Sequence, residues 1–254
     1  MSGTLELARR IAGARSVVAL TGAGISVPSG IPDFRSPGTG LWENVNPMEV
    51  AHIDAWREDP QRFWHFYGDR FLSLREKAPN GAHDALCELQ RRDHLHGVIT
   101  QNVDRLHSRA GLEDVIEVHG SIERSRCLED GAEFDLDEVL ARLDAADDGV
   151  PRCDDGHPLK PGVTLFGEML DEAALERAIQ LCLAADVLLC VGSSLEVYPV
   201  AELPGVVHAQ GGMVALVTAG PTPWDGRAAV KLGGDVVEEL EALLVALDGL
   251  GTEP

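Results

Sequence analysis

Basic residues are scarce in this sequence. Lys and Arg together number 21, against 42 Asp plus Glu, for a formal net charge of −21. A field of that sign repels phosphate backbones, so nucleic-acid binding is not expected. A lysine-rich ligand would be attracted, although an acidic, well-solvated surface accounts for the charge equally simply. Long hydrophobic runs are also missing: no 18 consecutive apolar residues occur, so no membrane span is expected. The stretch from Met1 to Arg10 carries Glu6, Arg9 and Arg10 where a secretory leader would need an apolar core. Cysteines are few: Cys87, Cys127, Cys153, Cys182 and Cys190. An odd count without a dense framework excludes a disulfide scaffold and points to a reducing, cytoplasmic setting. Cys87, Cys182 and Cys190 lie in apolar-patterned segments and read as core packing. No internal repeat or low-complexity tract is present. What remains is an ordinary globular composition, 44% hydrophobic and 25% charged over 254 residues, enough for one large domain or one domain carrying a smaller module.

Short apolar runs alternate with longer amphipathic stretches. Ser16 to Thr21, His96 to Thr100, Val115 to Val118, Val187 to Val191 and Met213 to Val217 read as strands. Leu5 to Ala14, Pro60 to Lys77, Ala82 to Arg92, Glu172 to Ala184 and Val236 to Leu247 carry helical spacing. Continuous apolar strands separated by helices predict an α/β fold, a doubly wound and mostly parallel sheet covered on both faces. Two regions break the rhythm. Ser29 to Pro47, rich in Gly, Pro and Ser, reads as a long loop of the kind that carries function. Arg124 to Pro161 is acidic, begins and ends near cysteines and reads as an inserted module, with helical spacing over Leu136 to Ala146.

Chemistry-bearing residues gather at the ends of the predicted strands. Gly22, Ala23, Gly24 and Ser26 follow the first, where a Gly-x-Gly turn brings backbone N–H groups to a pyrophosphate; a simple tight turn is the competing reading. Asp33, Phe34 and Arg35 offer a carboxylate, a ring and a guanidinium for a planar, polar ligand, or merely an internal Asp–Arg pair. Gln101, Asn102 and Asp104 follow the second strand, suited to ribose hydroxyls or a carboxamide, or to capping the next helix. His107 reads as a packed or surface histidine. Of the nine histidines, His119 is singled out by its place at a strand end before Gly120, and an imidazole can take a proton at neutral pH. Gly192, Ser193 and Ser194 close another strand with N–H groups and hydroxyls.

In order along the chain, Gly22-Ala23-Gly24-Ile25-Ser26, Ile31-Pro32-Asp33-Phe34-Arg35, Thr100-Gln101-Asn102-Val103-Asp104, Val118-His119-Gly120, Phe166-Gly167-Glu168 and Gly192-Ser193-Ser194-Leu195 resemble the motifs of the sirtuins of bacterial type, NAD-dependent protein-lysine deacylases. The resemblance runs from about Ala14 to about Leu247. It implies a Rossmann-like NAD-binding domain over 1–30, 76–123 and 162–254, and a small domain over 31–75 and 124–161. Acyl-lysine of a protein substrate would enter the cleft between them, its carbonyl oxygen displacing nicotinamide from the ribose. The products would be free lysine, nicotinamide and O-acyl-ADP-ribose. His119 would be the general base toward a ribose hydroxyl. Asn102 and Asp104 would line the nicotinamide and ribose pocket. Phe34 would shield the intermediate, and Arg35 would help hold the cofactor. Val163, Phe166, Gly167 and Glu168 would meet the substrate backbone on one side, and Leu195, Glu196 and Val197 on the other, by strand addition.

Three departures from the family's pattern stand out. The family's zinc module has two Cys-x-x-Cys pairs; here Cys127 is followed by Asp130 and Cys153 by Gly156. A metal-free module held by packing is expected, with zinc on Cys127, Cys153, His157 and Asp130 or Asp155 as the alternative. Thr218 stands where the family commonly has an asparagine near the adenine-side ribose. Tyr67 and Arg70, three apart on a predicted helix, match a pair that grips succinyl or malonyl groups in one subgroup, although a surface Arg beside a half-buried Tyr explains them equally. Pro32-Asp33 is more similar to the deacetylase subgroups, so deacetylation is the leading expectation. Acidic deacylation, ADP-ribose transfer to protein and a non-catalytic NAD-sensing role stand as alternatives. The sequence leaves the oligomeric state open.

Overall fold

The computed structural model describes residues 3–33, 38, 40 and 45–251. Phe34 and Arg35 lie outside the described residues. Six strands form one parallel sheet: β1 (Val17–Thr21), β2 (Gly97–Thr100), β3 (Val115–Glu117), then, on the other side of β1, strands Val187–Val191, Met213–Val217 and Val230–Leu232. Between these two groups in sequence lie β4 (Gly120–Cys127), β5 (Glu133–Asp135) and β6 (Leu159–Val163), which form a separate antiparallel sheet. The later strands of the large sheet are thus β7, β8 and β9, and its order is β3-β2-β1-β7-β8-β9. The chain departs from β1 in one direction and returns on its other flank. That reversal opens a crevice at the carboxyl ends of β1 and β7, where ligands of open α/β sheets bind.

The apolar runs are continuous because both faces of the sheet are covered. Val17, Ala19, Leu189 and Val217 pack on one face against the helices Gly3–Gly13, Gly81–Arg91 and Val236–Leu250. Val18, Leu20, Leu188 and Leu216 pack on the other against the helices Glu172–Ala184 and Leu203–Ala209. The five strands expected from the sequence lie where expected to within a residue at each end. So do the long helices, apart from extensions at Gly3 and Leu250.

Three features were not anticipated. The Gly-x-Gly turn leads into a 3-10 helix, Ala23–Ser29, with Pro28 inside it. Proline removes an N–H and clashes with the preceding turn, which disfavours a regular α-helix there. The short strand β9 completes the sheet. The inserted module contains the antiparallel sheet, in which β4 and β5 leave several residues exposed, as an antiparallel sheet can. Leu136–Ala145 is helical as expected, capped reciprocally by Asp135 and Glu138. A third core joins this module to the helices Ile53–Glu58 and Pro60–Glu76 through Trp56, Phe63, Trp64, Phe71, Ile122, Phe134, Val139 and Leu159. The indole N–H groups of Trp56 and Trp64 both donate to the Leu159 carbonyl, at 3.1 and 2.9 Å.

Candidate functional site

A cavity of about 570 Å³ runs along the carboxyl ends of β1, β2, β7 and β8. Its walls bring together Gly22, Ala23, Gly24, Asp33, Gln101, Asn102, His119, Gly192, Ser193, Ser194, Glu196, Val197 and Thr218. The size falls within the range of about 300–1,000 Å³ usual for cofactor sites. The lining that sequence reasoning missed comprises Val27 and Pro28, the turn Ala219-Gly220-Pro221, and Gly234, Asp235 and Val236. Asp235 caps the last helix, accepting from the N–H groups of Val237 and Glu238. A Gly-Gly-Asp ahead of a helical pattern was the signal available for it.

The glycines of the first turn interlock with the end of β7. The Gly24 N–H donates to the Gly192 carbonyl at 2.8 Å, and a Cβ on Gly192 would fall 2.2 Å from the Ile25 nitrogen. Gly192 also has φ +60, a conformation that other residues adopt at a cost. These glycines therefore pack two loops together at the mouth of the crevice, besides leaving backbone open toward a ligand.

A network of polar groups runs from the cavity wall into the interior. Gln101 Nε2 donates to Ser193 Oγ at 2.8 Å, tying the ends of β2 and β7 across β1. The Asn102 amide donates to the Gly22 carbonyl at 3.2 Å and to Ser26 Oγ at 3.1 Å. Both amide donors are then engaged, which leaves the amide oxygen for the cavity. Ser26 Oγ donates to Asp104 Oδ2 at 2.7 Å, and Asp104 Oδ1 accepts from the Leu106 N–H at 2.9 Å. Ser26 and Asp104 are buried behind the wall instead of lining it. His107 is a packed residue, bonded to Thr21 Oγ1 at 2.9 Å.

His119 follows β3, with Nδ1 3.0 Å from the Gln101 carbonyl. A carbonyl only accepts, so Nδ1 carries the proton and Nε2 holds the lone pair. Burial pushes the imidazole pKa below its usual value, opposed by the Gln101 carbonyl. The ring is therefore predominantly neutral at pH 7 and able to accept a proton.

The residues expected to meet a substrate are placed less uniformly. Glu196 and Val197 line the cavity, whereas Leu195 is core, with a left-handed backbone at φ +54. Val163 ends β6 and is buried. Phe166 is partly exposed, and its backbone pairs with the segment around His52. The Glu168 carboxylate is taken by Lys160 and by the Leu165 N–H. Tyr67 sits among Phe63, Phe66 and Phe71, at ring separations of 4.7, 5.0 and 5.5 Å, and burial pushes its phenol up to about 12. The Arg70 guanidinium lies 3.5 Å over the Phe66 ring and donates to the Phe66 carbonyl.

Among the described residues, Cys127, Asp130 and Cys153 form a possible metal-ligand cluster, with ligand atoms within 4.8 Å of one another. Asp155 and His157 are not in it, and Gly156 has no side chain to offer. A closed structural zinc site needs four donors, so this set is one short. Burial pushes the Cys127 thiol up, opposed by hydrogen bonds from the Asp130 and Glu129 backbone.

Comparisons with known proteins agree with this geometry. Residues 22–199 match the family model described as the Sir2 family. An NAD-dependent protein deacetylase of Thermotoga maritima is 42% identical over 225 residues, 88% of this chain and 90% of that protein. An NAD-dependent protein deacylase of Thermus thermophilus is 42% identical over 243 residues, 94% of this chain and 93% of that protein. A solved Sir2 structure with a deacetylated p53 peptide and 3′-O-acetyl ADP ribose superposes with a TM-score of 0.90 at 38% identity, covering 94% of this chain and 96% of that one. A structure of Sir2 with p53 peptide and NAD+ gives 0.87 at 39% identity, covering 97% and 98%. Sequence likeness and superposition both extend over almost the whole chain, crevice included, and the chain belongs to the Sir2 family.

Proposed function

We propose that this chain is an NAD-dependent protein-lysine deacetylase, yielding nicotinamide, free lysine and O-acetyl-ADP-ribose. The observation that carries this reading is His119: a neutral imidazole with Nε2 unprotonated, in the wall of a cavity shared with the glycine turn and Asn102. When bound, NAD supplies a ribose carbon that takes the acyl oxygen as nicotinamide leaves. The rest falls to the protein. Gly22, Ala23, Gly24, Gly192, Ser193 and Ser194 present N–H and hydroxyl groups to phosphates and ribose. Thr218, in the cavity wall, would offer its hydroxyl to the adenine-side ribose. Gln101 and Asn102 orient the nicotinamide end. Asp104 acts from behind through Ser26, holding the Asn102 amide. Asp33 contributes to the wall of the pocket. His119 Nε2 accepts a proton from a ribose hydroxyl, and the Gln101 carbonyl steadies the imidazolium that results. Backbone groups of Val163 and Gly167, and of Leu195, Glu196 and Val197, take the substrate backbone, while the Phe166 backbone, bonded to Ala51 and Ile53, and the Glu168 and Leu195 side chains hold those segments in place. The division into a large domain (1–30, 76–123, 162–254) and a small one (31–75, 124–161) puts this cleft at their boundary. The small module is proposed to stand without zinc.

A second reading, removal of succinyl or malonyl groups, rests on Tyr67 and Arg70 standing three residues apart on the helix Pro60–Glu76. Mass spectrometry of acetyl-lysine and succinyl-lysine peptides, with and without NAD, separates the two. Faster loss of acetyl supports the first, and faster loss of succinyl supports the second. His119→Ala is expected to abolish turnover while leaving NAD affinity within a few-fold; turnover like wild type would overturn the assignment of the base. Nicotinamide release with ADP-ribose appearing on protein would point to ADP-ribose transfer, and NAD binding without any turnover to a sensing role.

A further inference from the structure

Lys160 lies in β6 and is 3% exposed, a rare condition for a lysine. Its ammonium has three N–H donors and meets three acceptors. These are the Val163 carbonyl at 2.8 Å, the Pro161 carbonyl at 3.0 Å and Glu168 Oε2 at 2.8 Å. Glu168 Oε2 also accepts from the Leu165 N–H at 2.9 Å. The chain from Pro161 to Glu168 is thus gathered around one buried cation.

Stability alone does not explain such a group. Taking an ion pair out of water costs much of what the pair returns, and a well-packed apolar residue commonly does as well. What the pair confers is one defined shape for a segment with little regular structure of its own beyond Val163. The same segment is fastened to the candidate base. The Thr164 N–H donates to the His119 carbonyl at 2.8 Å. Gly120, at φ +69, lies so close to the Gly162 carbonyl that a Cβ there would clash. On the far side, the Phe166 N–H donates to the Ala51 carbonyl and its own carbonyl accepts from the Ile53 N–H, both at 2.9 Å. Segment 162–166 is therefore laced between His119 and the helical part of the module, with the Lys160 ammonium beneath it.

We propose that Lys160 is a positioning residue for the acylated peptide: with Glu168 it holds segment 161–168 in the shape that pairs with the substrate backbone, in register with His119. This rests on the deacetylase reading. It predicts a split between substrates. The NAD-lining residues at the ends of β1, β7 and β8 make no bond to Lys160, so disturbing it loosens the peptide edge and spares the cofactor edge.

The experiment measures acetyl-peptide KM and kcat, acetyl-peptide Kd by fluorescence anisotropy, and NAD Kd by calorimetry, for wild type, Lys160→Met, Lys160→Arg and Glu168→Gln. Lys160→Met is expected to raise peptide KM and Kd at least tenfold with NAD Kd within twofold. Lys160→Arg, which keeps charge and donors, is expected to recover most of that loss. A Lys160→Met peptide Kd within twofold of wild type, or equal losses toward peptide and NAD, overturns the proposal; the second result is that of a purely structural residue. Should Lys160→Met fail to fold, Glu168→Gln decides, since it keeps volume and an acceptor oxygen. A peptide Kd raised at least threefold with NAD Kd unchanged supports the proposal, and an unchanged peptide Kd overturns it. Failure of the deacetylase reading is separately visible: wild type would then bind no acetyl peptide and release no nicotinamide in its presence.

Discussion

His119 shows how one backbone carbonyl prepares a side chain for its chemistry. The Gln101 carbonyl selects the tautomer, and burial lowers the pKa. The tautomer leaves Nε2 free to accept, and the lowered pKa, set by burial against the opposing Gln101 carbonyl, keeps the ring neutral into mildly acidic solution. The acid limb of kcat/KM is therefore expected to have its midpoint below the ordinary histidine value of about 6.5. A pH profile over saturating NAD measures it, and a midpoint above that value would contradict the burial argument. At the same scale, Gly192 and Gly24 are glycines for two reasons at once, a left-handed φ at Gly192 and contact between two loops. The sequence pattern pointed to approach by a ligand or to a tight turn; the contact between the two loops became visible when β1 and β7 were placed side by side.

Among the elements, the antiparallel sheet β5-β4-β6 with its flanking helices is the part that departs most from the family's zinc module. Cys127 and Cys153 are buried in its core beside Trp56, Trp64 and Phe134. Two indoles bonded to the Leu159 carbonyl and a reciprocally capped helix give it cohesion of its own. Exhaustively dialysed protein is expected to contain well under one zinc per chain and to keep its melting temperature in chelator. A ratio near one, with a melting temperature lowered by chelation, would assign the metal to Cys127, Asp130 and Cys153 after all.

For the whole molecule, the buried histidines link stability to pH. His83 and His107 stack edge to face, 4.9 Å apart, beneath the carboxyl ends of β1 and β2. Burial pushes both down to about 4, helped at His83 by its neighbour His107 and opposed by Asp104. Below the ordinary pKa of about 6.5 the unfolded chain takes up protons that the folded one refuses. Stability is thus complete above that pH and declines as pH falls toward 4, by about 1.4 kcal/mol per pH unit for each histidine. Urea unfolding in high salt, which mutes the acidic surface, is expected to give a lower midpoint at pH 5.5 than at pH 7.5 with the same slope in urea. Equal midpoints would mean that the pair is not held neutral.

The large sheet was legible in the sequence because strands covered on both faces must be apolar throughout, and Val17 to Leu20 or Val187 to Val191 can hardly be read otherwise. The motif residues at the strand ends were legible for a related reason: in such a sheet the carboxyl ends are where side chains meet a ligand. Order along the chain sufficed to list Gly22, Asn102, His119 and Gly192 as candidates. It did not separate the lining from what lies behind it. Asp104 and Ser26 belong to the buried network, Leu195 to the core, and Glu168 to Lys160, because each of those partners is distant in sequence or hidden by an irregular turn. The strands of the small sheet escaped notice because β4 and β5 are mostly not buried and β6, though buried, carries Lys160, Pro161 and Gly162, so there was little apolar periodicity to read. Local pattern determined which elements form and which of their ends carry chemistry; only the packing of those elements decided which side chains face the cavity and which hold its walls.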